Sequence, residues 1–141
     1  MNLIFEQLQE KDISYIKDLG DEFADYSYEN VAAFLSEKHN IALVAKFENK
    51  IIGLIYGYSL ARMDGIAPQF FIYSIDIHPD YQDKGHGGQF MKYVIDWAKE
   101  NGYSECFVLT NKDNPRACRV YEKAGMTHSE SDCERMYEIF Y

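Results

Sequence analysis

Two short segments carry residue types at spacings that could do chemistry. The first is Ile75-Asp76-Ile77-His78-Pro79-Asp80-Tyr81-Gln82-Asp83-Lys84-Gly85-His86-Gly87-Gly88, where a β-rich run passes through a glycine-rich turn into a helical one. Glycines let backbone N–H groups converge, and the first turn of a helix adds unpaired donors and a partial positive charge. Such a turn can hold a phosphate without a basic cluster. Phe90 stands where a dinucleotide loop would place its third glycine, and no Gly-Lys-Ser/Thr occurs, so the two best-known phosphate loops are absent. The second segment is Asn114-Pro115-Arg116-Ala117-Cys118-Arg119-Val120-Tyr121-Glu122-Lys123-Ala124-Gly125-Met126, with the phenol of Tyr121 in mid-helix.

The elements that must position these segments follow from hydrophobic periodicity and turn chemistry. Leu3–Gln7 reads as a strand, and Asp12 can cap a helix in which Ile13, Ile16 and Leu19 share a face and Gly20 is the stop. A second helix runs from Ser27 through Val31, Phe34 and Leu35 to Lys38, after an acidic, aromatic stretch, Asp21 to Glu29. Ile41–Phe47 and Ile51–Leu60 form a hairpin about a three-residue turn, Glu48-Asn49-Lys50. Phe70–Ile77 is almost continuously apolar, broken only by Ser74 and Asp76, which predicts a central strand covered on both faces. Gly87–Asn101 is amphipathic, with Phe90, Met91, Val94, Ile95 and Ala98 on one stripe and Gly102 beyond its end. Cys106–Thr110 reads as a buried strand, and Asn114-Pro115 opens a helix that runs to Ala124 and stops at Gly125. The tail, Met126–Tyr141, reads as two strands joined near Ser131-Asp132.

Composition narrows the partners. A chain of 141 residues with no linker or repeat predicts a single domain. Its 14 basic against 23 acidic residues give a net charge of -9, which argues against a nucleic-acid partner and favours a cationic one. The longest apolar run, Ile51–Ala61, is interrupted by Gly53 and Gly57 and is too short for a membrane span. The N-terminus shows no signal-peptide pattern, so cytoplasm is expected. Cys106, Cys118 and Cys133 have no Cys-x-x-Cys pairing and read as small packed hydrophobes; His39, His78, His86 and His128 lack ligand spacing, so no metal is expected.

Gln82-x-x-Gly85-x-Gly87 resembles the Gln/Arg-x-x-Gly-x-Gly/Ala signature of the GNAT family of N-acetyltransferases. Asn114 to Met126 resembles that family's Asn-x-x-Ala-x-x-x-Tyr-x-Lys-x-Gly-Phe/Met segment. The resemblance implies an α/β (α+β) fold, a mixed and mostly antiparallel central sheet flanked by about four helices. It implies acetyl-CoA as co-substrate, with the loop residues Gln82, Asp83, Lys84, Gly85, His86, Gly87 and Gly88 around its pyrophosphate. Ile75, Ile77 and Asn114 are implied along the pantetheine arm, with Tyr121 in contact as well and acting as general acid. Three charge-assisted hydrogen bonds from the loop are worth about 5 to 9 kcal/mol gross, and association entropy removes ~4 kcal/mol or more, so the arm contacts are needed for micromolar affinity.

Acetyl transfer to an alkyl amine requires loss of a proton whose pKa of about 10.4 sits well above neutrality, a penalty of ~4.6 kcal/mol at pH 7. A base or a water chain must remove it. Ile41–Ala45, Ile72-Tyr73 and Glu134–Ile139 resemble the aminoglycoside 3-N-acetyltransferases within the family, in which an Asp is expected directly after the Ile-Tyr pair; here that residue is Ser74. Ser74, Asp76 on the same strand face, and Glu138 in the tail all stand as candidates for the base. Asp21–Glu29, Arg62–Gln69 and the tail from Glu130 flank the acceptor side. The expected acceptor is a small cationic amine, aminoglycoside or polyamine-like. A protein Lys or N-terminus and a non-catalytic acyl-CoA sensor are the alternatives, and a homodimer is left open.

Overall fold

The structure, a computed structural model, describes residues 2–128 and 135–141. Five strands form one sheet in the order β1 (Ile4–Gln7), β2 (Asn40–Phe47), β3 (Lys50–Leu60), β4 (Gln69–Ile77) and β5 (Glu105–Val108). The first four pair antiparallel, and β5 joins β4 in parallel after a crossover through α2 (His86–Glu100). Two further α-helices, α1 (Tyr28–Ser36) and α3 (Pro115–Lys123), and a ten-residue 3₁₀ helix, Glu10–Leu19, complete the flanking layers. This is the expected mixed, mostly antiparallel α+β arrangement.

The sheet separates two cores. Leu43, Ile52, Ile55, Phe70 and Ile72 meet Phe90, Met91 and Val94 of α2 on one face. Val44 and Leu54 meet Ile16, Leu19 and Phe23 on the other, with α1 alongside. Phe70 and Phe90 are fully buried, each contributing about 3 kcal/mol by removal of its ring from water.

Several expectations are corrected. Ile13, Ile16 and Leu19 do share a buried face, but their uniform spacing of three suits a 3₁₀ turn. Asp12 lies inside that helix and does not cap it; its carboxylate accepts a 2.7 Å hydrogen bond from the buried Lys46, which also meets Glu6 at 2.6 Å. Burial opposes the charge on Lys46, but the two carboxylates outweigh it and raise the pKa. The hairpin turn has two residues, Glu48 and Asn49, both left-handed with φ of 50° and 66°, because Lys50 already pairs with Phe47. α1 begins, as expected, after Ser27, whose hydroxyl accepts from Asn30 N, but ends at Ser36, with Asn40 bonded to the Phe34 carbonyl.

β4 is the fourth of five strands and is not covered on both faces: Phe70 and Ile72 are buried, while Tyr73 is 59% exposed. β5 is half-buried and stops at Val108, leaving Leu109 exposed. Among the described residues the tail forms no strand, and the expected turn at Ser131-Asp132 lies outside them. No helix among the described residues is long and apolar enough to cross a membrane.

Candidate active site

Two irregularities coincide on β4. Tyr56 pairs with Ser74 and the next residue, Gly57, pairs with Ile72, so Tyr73 is the extra residue of a β-bulge. Gly57 is what allows the bulge: a Cβ there would lie 2.1 Å from the Phe71 carbonyl oxygen. Pairing with β5 ends at the same level, at Ile72 opposite Val108. Among the described residues, the edge of β4 from Tyr73 to Ile77 therefore has no strand beyond it on the β5 side, and its peptide groups there are open to a ligand's amides.

The bulge precedes Ser74, so Ser74 and Asp76 keep their common face, opposite Tyr56 and Leu54 and toward the 3₁₀ helix and α1. Ile75 and Ile77 take the other face, where a Cβ on Gly53 would come within 2.9 Å of Ile77. Both expected carboxylate-region candidates on β4 are thus held by a paired strand. Glu138 is not: residues 135–141 are exposed and form no strand.

Beyond β4, His78 N bonds the Ile52 carbonyl at 2.7 Å, a 3₁₀ turn spans Pro79–Tyr81, and Asp83 and Gly85 adopt φ of 61° and 84°. Gly85 is the N-cap of α2, and no side chain caps the helix. The first-turn N–H groups therefore lack the side-chain acceptor that commonly meets them. A phosphate suits this end of the helix because, among the described residues, no side chain caps it. The glycines differ in purpose. Gly85 supplies the left-handed backbone, while a Cβ on Gly87 would meet Val120 at an ordinary 3.5 Å and one on Gly88 would meet nothing.

Side chains brace this loop. Gln82 Nε2 donates to the Ile77 carbonyl at 2.8 Å, and Gln82 Oε1 accepts from Arg116 Nη1 at 2.7 Å. Arg116 also reaches Asp83 at 3.3 Å, and Lys84 Nζ donates to the Asp80 carbonyl at 3.0 Å. The amide of Gln82 is thus engaged within the protein. His86 is turned inward against the Tyr81 ring, 8% exposed, and neither ring nitrogen has a hydrogen-bond partner among the described residues. Its contribution to the loop face is its backbone N–H.

α3 starts at Asn114, whose side-chain oxygen accepts from Ala117 N at 3.2 Å. Tyr121, two turns further along the helix, is buried in the core on the α2 side of the sheet, and burial, then the nearby Cys118, raises its phenol pKa above the usual value of 10. Tyr121 and Val108 line a cleft of about 1340 Å³ along the outer side of β5; none of residues 82–88 lines it. Tyr121, in the α2-side core, and the pair Ser74/Asp76 consequently sit on opposite faces of the sheet. Cys106 and Cys118 are half-buried thiols, and burial pushes Cys106 up to about 11; Cys133 lies outside the described residues.

Arg116 and Gly57 were not legible as site residues. Arg116 occupies a variable position of its segment, and Gly57 reads only as a break in an apolar run. A lone Arg two places after an Asn helix cap was the one available signal.

The family model described as the acetyltransferase (GNAT) family matches residues 5–126. The chain belongs to this family. The two sequence signatures fall on the uncapped start of α2 and on the Asn114-capped helix α3. Streptothricin acetyltransferase A of Bacillus subtilis (strain 168) is 32% identical over 109 residues, 77% of this chain; the chain spans 57% of that relative's length. An aminoglycoside acetyltransferase from an uncultured soil metagenomic sample, solved with trehalose, superposes with a TM-score of 0.81 at 24% identity, covering 98% of this chain and 97% of that one. A ribosomal-protein-alanine N-acetyltransferase from Brucella melitensis biovar Abortus 2308 superposes with a TM-score of 0.79 at 17% identity over 100% of both chains. Structural likeness at these identities shows the fold alone and does not choose between small-molecule and protein acceptors.

Proposed function

We propose that this GNAT-family chain is an acetyl-CoA-dependent N-acetyltransferase that moves an acetyl group directly to a primary amine of a small cationic acceptor, aminoglycoside or polyamine-like. The observation that carries the reading is the coincidence of an uncapped α2 N-terminus with the open edge of β4 beyond Ile72. A diphosphate suits the first and an amide-bearing arm suits the second. The 32% identity to a streptothricin acetyltransferase supports an amine of small size.

In this reading the N–H groups at Gly85–Gly88 hold the pyrophosphate, Gln82 and Arg116 keep the loop in shape, and the edge around Ile75 and Ile77 takes the pantetheine amides. When bound, acetyl-CoA supplies the activated acyl thioester. The amine nitrogen attacks the thioester carbonyl carbon; the C–N bond forms, the C–S bond breaks, the sulfur leaves with the electron pair and gains a proton, and the nitrogen loses one. Tyr121 donates a hydrogen bond to the departing sulfur. Its pKa, raised by burial above that of a thiol near 8.5, makes full proton transfer uphill by more than about 2 kcal/mol, so charge stabilisation is its main part. Asp76, with Ser74 positioning water beside it, accepts the proton from the amine. The reading carries a single-domain, cytoplasmic protein with no nucleic-acid or membrane partner.

The net charge of -9 suits a basic peptide as well as a polyamine, which keeps transfer to a protein amine as the second reading. Measuring CoA release with aminoglycosides, polyamines and basic peptides decides between them. Activity confined to peptides overturns the small-acceptor reading, and absence of any heat on titration with acetyl-CoA overturns both.

A further inference from the structure

On the α1 side of the sheet lies a cavity of about 370 Å³ that the catalytic groups do not occupy. Four aromatic side chains, Tyr26, Phe34, Tyr56 and Tyr58, line it. Phe34 meets Tyr56 and Tyr58 edge-on at 5.4 Å and 5.8 Å, and the exposed Tyr73 of the bulge lies 5.5 Å and 5.8 Å from the same two tyrosines. The carboxylate of Asp25 and the amide of Asn30 are its other polar lining. Burial and a hydrogen bond with Tyr26 raise the pKa of Tyr56, so the wall is uncharged and electron-rich.

The cavity adjoins the open stretch of β4, because Tyr56 is paired directly with Ser74 and such neighbours have Cβ atoms about 5 Å apart. A cation is favoured there by the aromatic faces and by Asp25. The remaining lining is aliphatic, Leu8, Ile16 and Leu54 among it, so polar partners are confined to the three phenols, Asp25 and Asn30, too few for a ring of hydroxyl groups that would each lose water. Methylene groups lose nothing against the same surface.

We infer that this cavity is the acceptor's distal subsite and holds the protonated far end of an aliphatic diamine or polyamine while its near amine is presented at Ser74. The inference rests on the acetyltransferase reading and narrows its acceptor to an alkyl-spaced polyamine in preference to a polyhydroxylated aminoglycoside. The reacting nitrogen must be neutral, whereas the caged one stays charged, so a monoamine of the same length lacks half of the recognition.

The test uses the full chain with putrescine, butylamine, sisomicin and tetramethylputrescine, whose tertiary nitrogens form no stable amide. Putrescine is expected to exceed both butylamine and sisomicin in kcat/KM by tenfold or more. Tetramethylputrescine is expected to bind the CoA-loaded protein in calorimetry and to compete with putrescine. Tyr58→Leu should lower putrescine's kcat/KM roughly three- to thirtyfold, the span of one cation–π contact, through KM and by more than it lowers butylamine's; Tyr58→Phe should restore most of it. Sisomicin preferred over putrescine, no binding of tetramethylputrescine, or equal loss for putrescine and butylamine in Tyr58→Leu overturns the assignment. Tyr58-dependent binding of tetramethylputrescine without CoA release from any amine upholds the subsite and overturns the acetyltransferase reading alone.

Discussion

Arg116 and Gln82, brought together from positions 34 apart in the chain, share a 2.7 Å hydrogen bond that joins the first turn of α3 to the loop before α2. Since Gln82 also holds the Ile77 carbonyl, one amide ties together the end of β4, the glycine loop and α3. Both partners are near the surface, so the contact adds little to global stability and much to loop geometry. Arg116→Ala is expected to weaken CoA binding about five- to twentyfold in calorimetry while the Tm stays within roughly 2 °C. An unchanged Kd would remove the bracing role.

The glycines of the site should separate cleanly under alanine substitution. Gly57→Ala places a Cβ 2.1 Å from the Phe71 carbonyl, a backbone atom that cannot swing away, and should cost about 3 kcal/mol or more and disturb the bulge. Gly85→Ala strains a φ of 84° and should cost ~1 kcal/mol. Gly87→Ala meets Val120 at 3.5 Å and should be tolerated within about 0.5 kcal/mol. Denaturant melts of the three variants give the order; a Gly87 loss equal to that of Gly57 would contradict the packing described.

Tyr121→Phe keeps the buried ring and removes the hydroxyl. The expected outcome is a fall in kcat of about ten- to a hundredfold, with acetyl-CoA affinity within about twofold of wild type. Because burial raises the phenol pKa above 10, its protonated form persists throughout the neutral and mildly alkaline range. The rate should therefore rise with pH as the acceptor amine deprotonates, with no falling limb below pH ~10. Pre-steady-state and pH–rate measurements check both parts.

Asp76→Asn removes the proposed proton acceptor on β4 without altering side-chain size. A loss of about a hundredfold in kcat/KM is expected. Ser74→Ala should cost less, about three- to tenfold, since its hydroxyl orders water and does not take the proton. Equal rates in wild type and Asp76→Asn would pass the role to bulk solvent.

Alkaline stability follows from the same burial. Tyr56, Tyr58, Tyr93 and Tyr121 all have pKa values raised by desolvation, and the Lys46 pKa is raised because its pairing with Asp12 and Glu6 outweighs desolvation. Each folded-state value exceeds its unfolded one, so the stability they contribute is complete below about pH 10 and is lost as pH rises through the folded values. Spectrophotometric titration should show the exposed fraction of the 12 tyrosines ionising near pH ~10, with the buried ones ionising later, together with unfolding. Thermal melts should show a constant Tm up to about pH 9.5 and a decline above it.

Sequence determined what depends on neighbours along the chain. The Gln82-x-x-Gly85-x-Gly87 turn, the Ser27 and Asn114 caps, the α2 stripe of Phe90, Met91 and Val94, and the glycine stop at Gly102 are local features, because backbone conformation and helical periodicity act within a few residues. Those features carried the family resemblance and the loop, and the hairpin was legible apart from the length of its turn. Tertiary structure alone decided the register between β3 and β4, which makes Tyr73 a bulge and assigns Ser74 and Asp76 to the α1 face. It also decided where β5 ends beside β4, which side chain Arg116 would find, and that Asp12 would meet Lys46 and not cap a helix. The reason is that a strand's sequence fixes which of its residues alternate, whereas the partner, the register and any slip between strands are set by contacts between segments far apart in the chain, and these minimise energy only together.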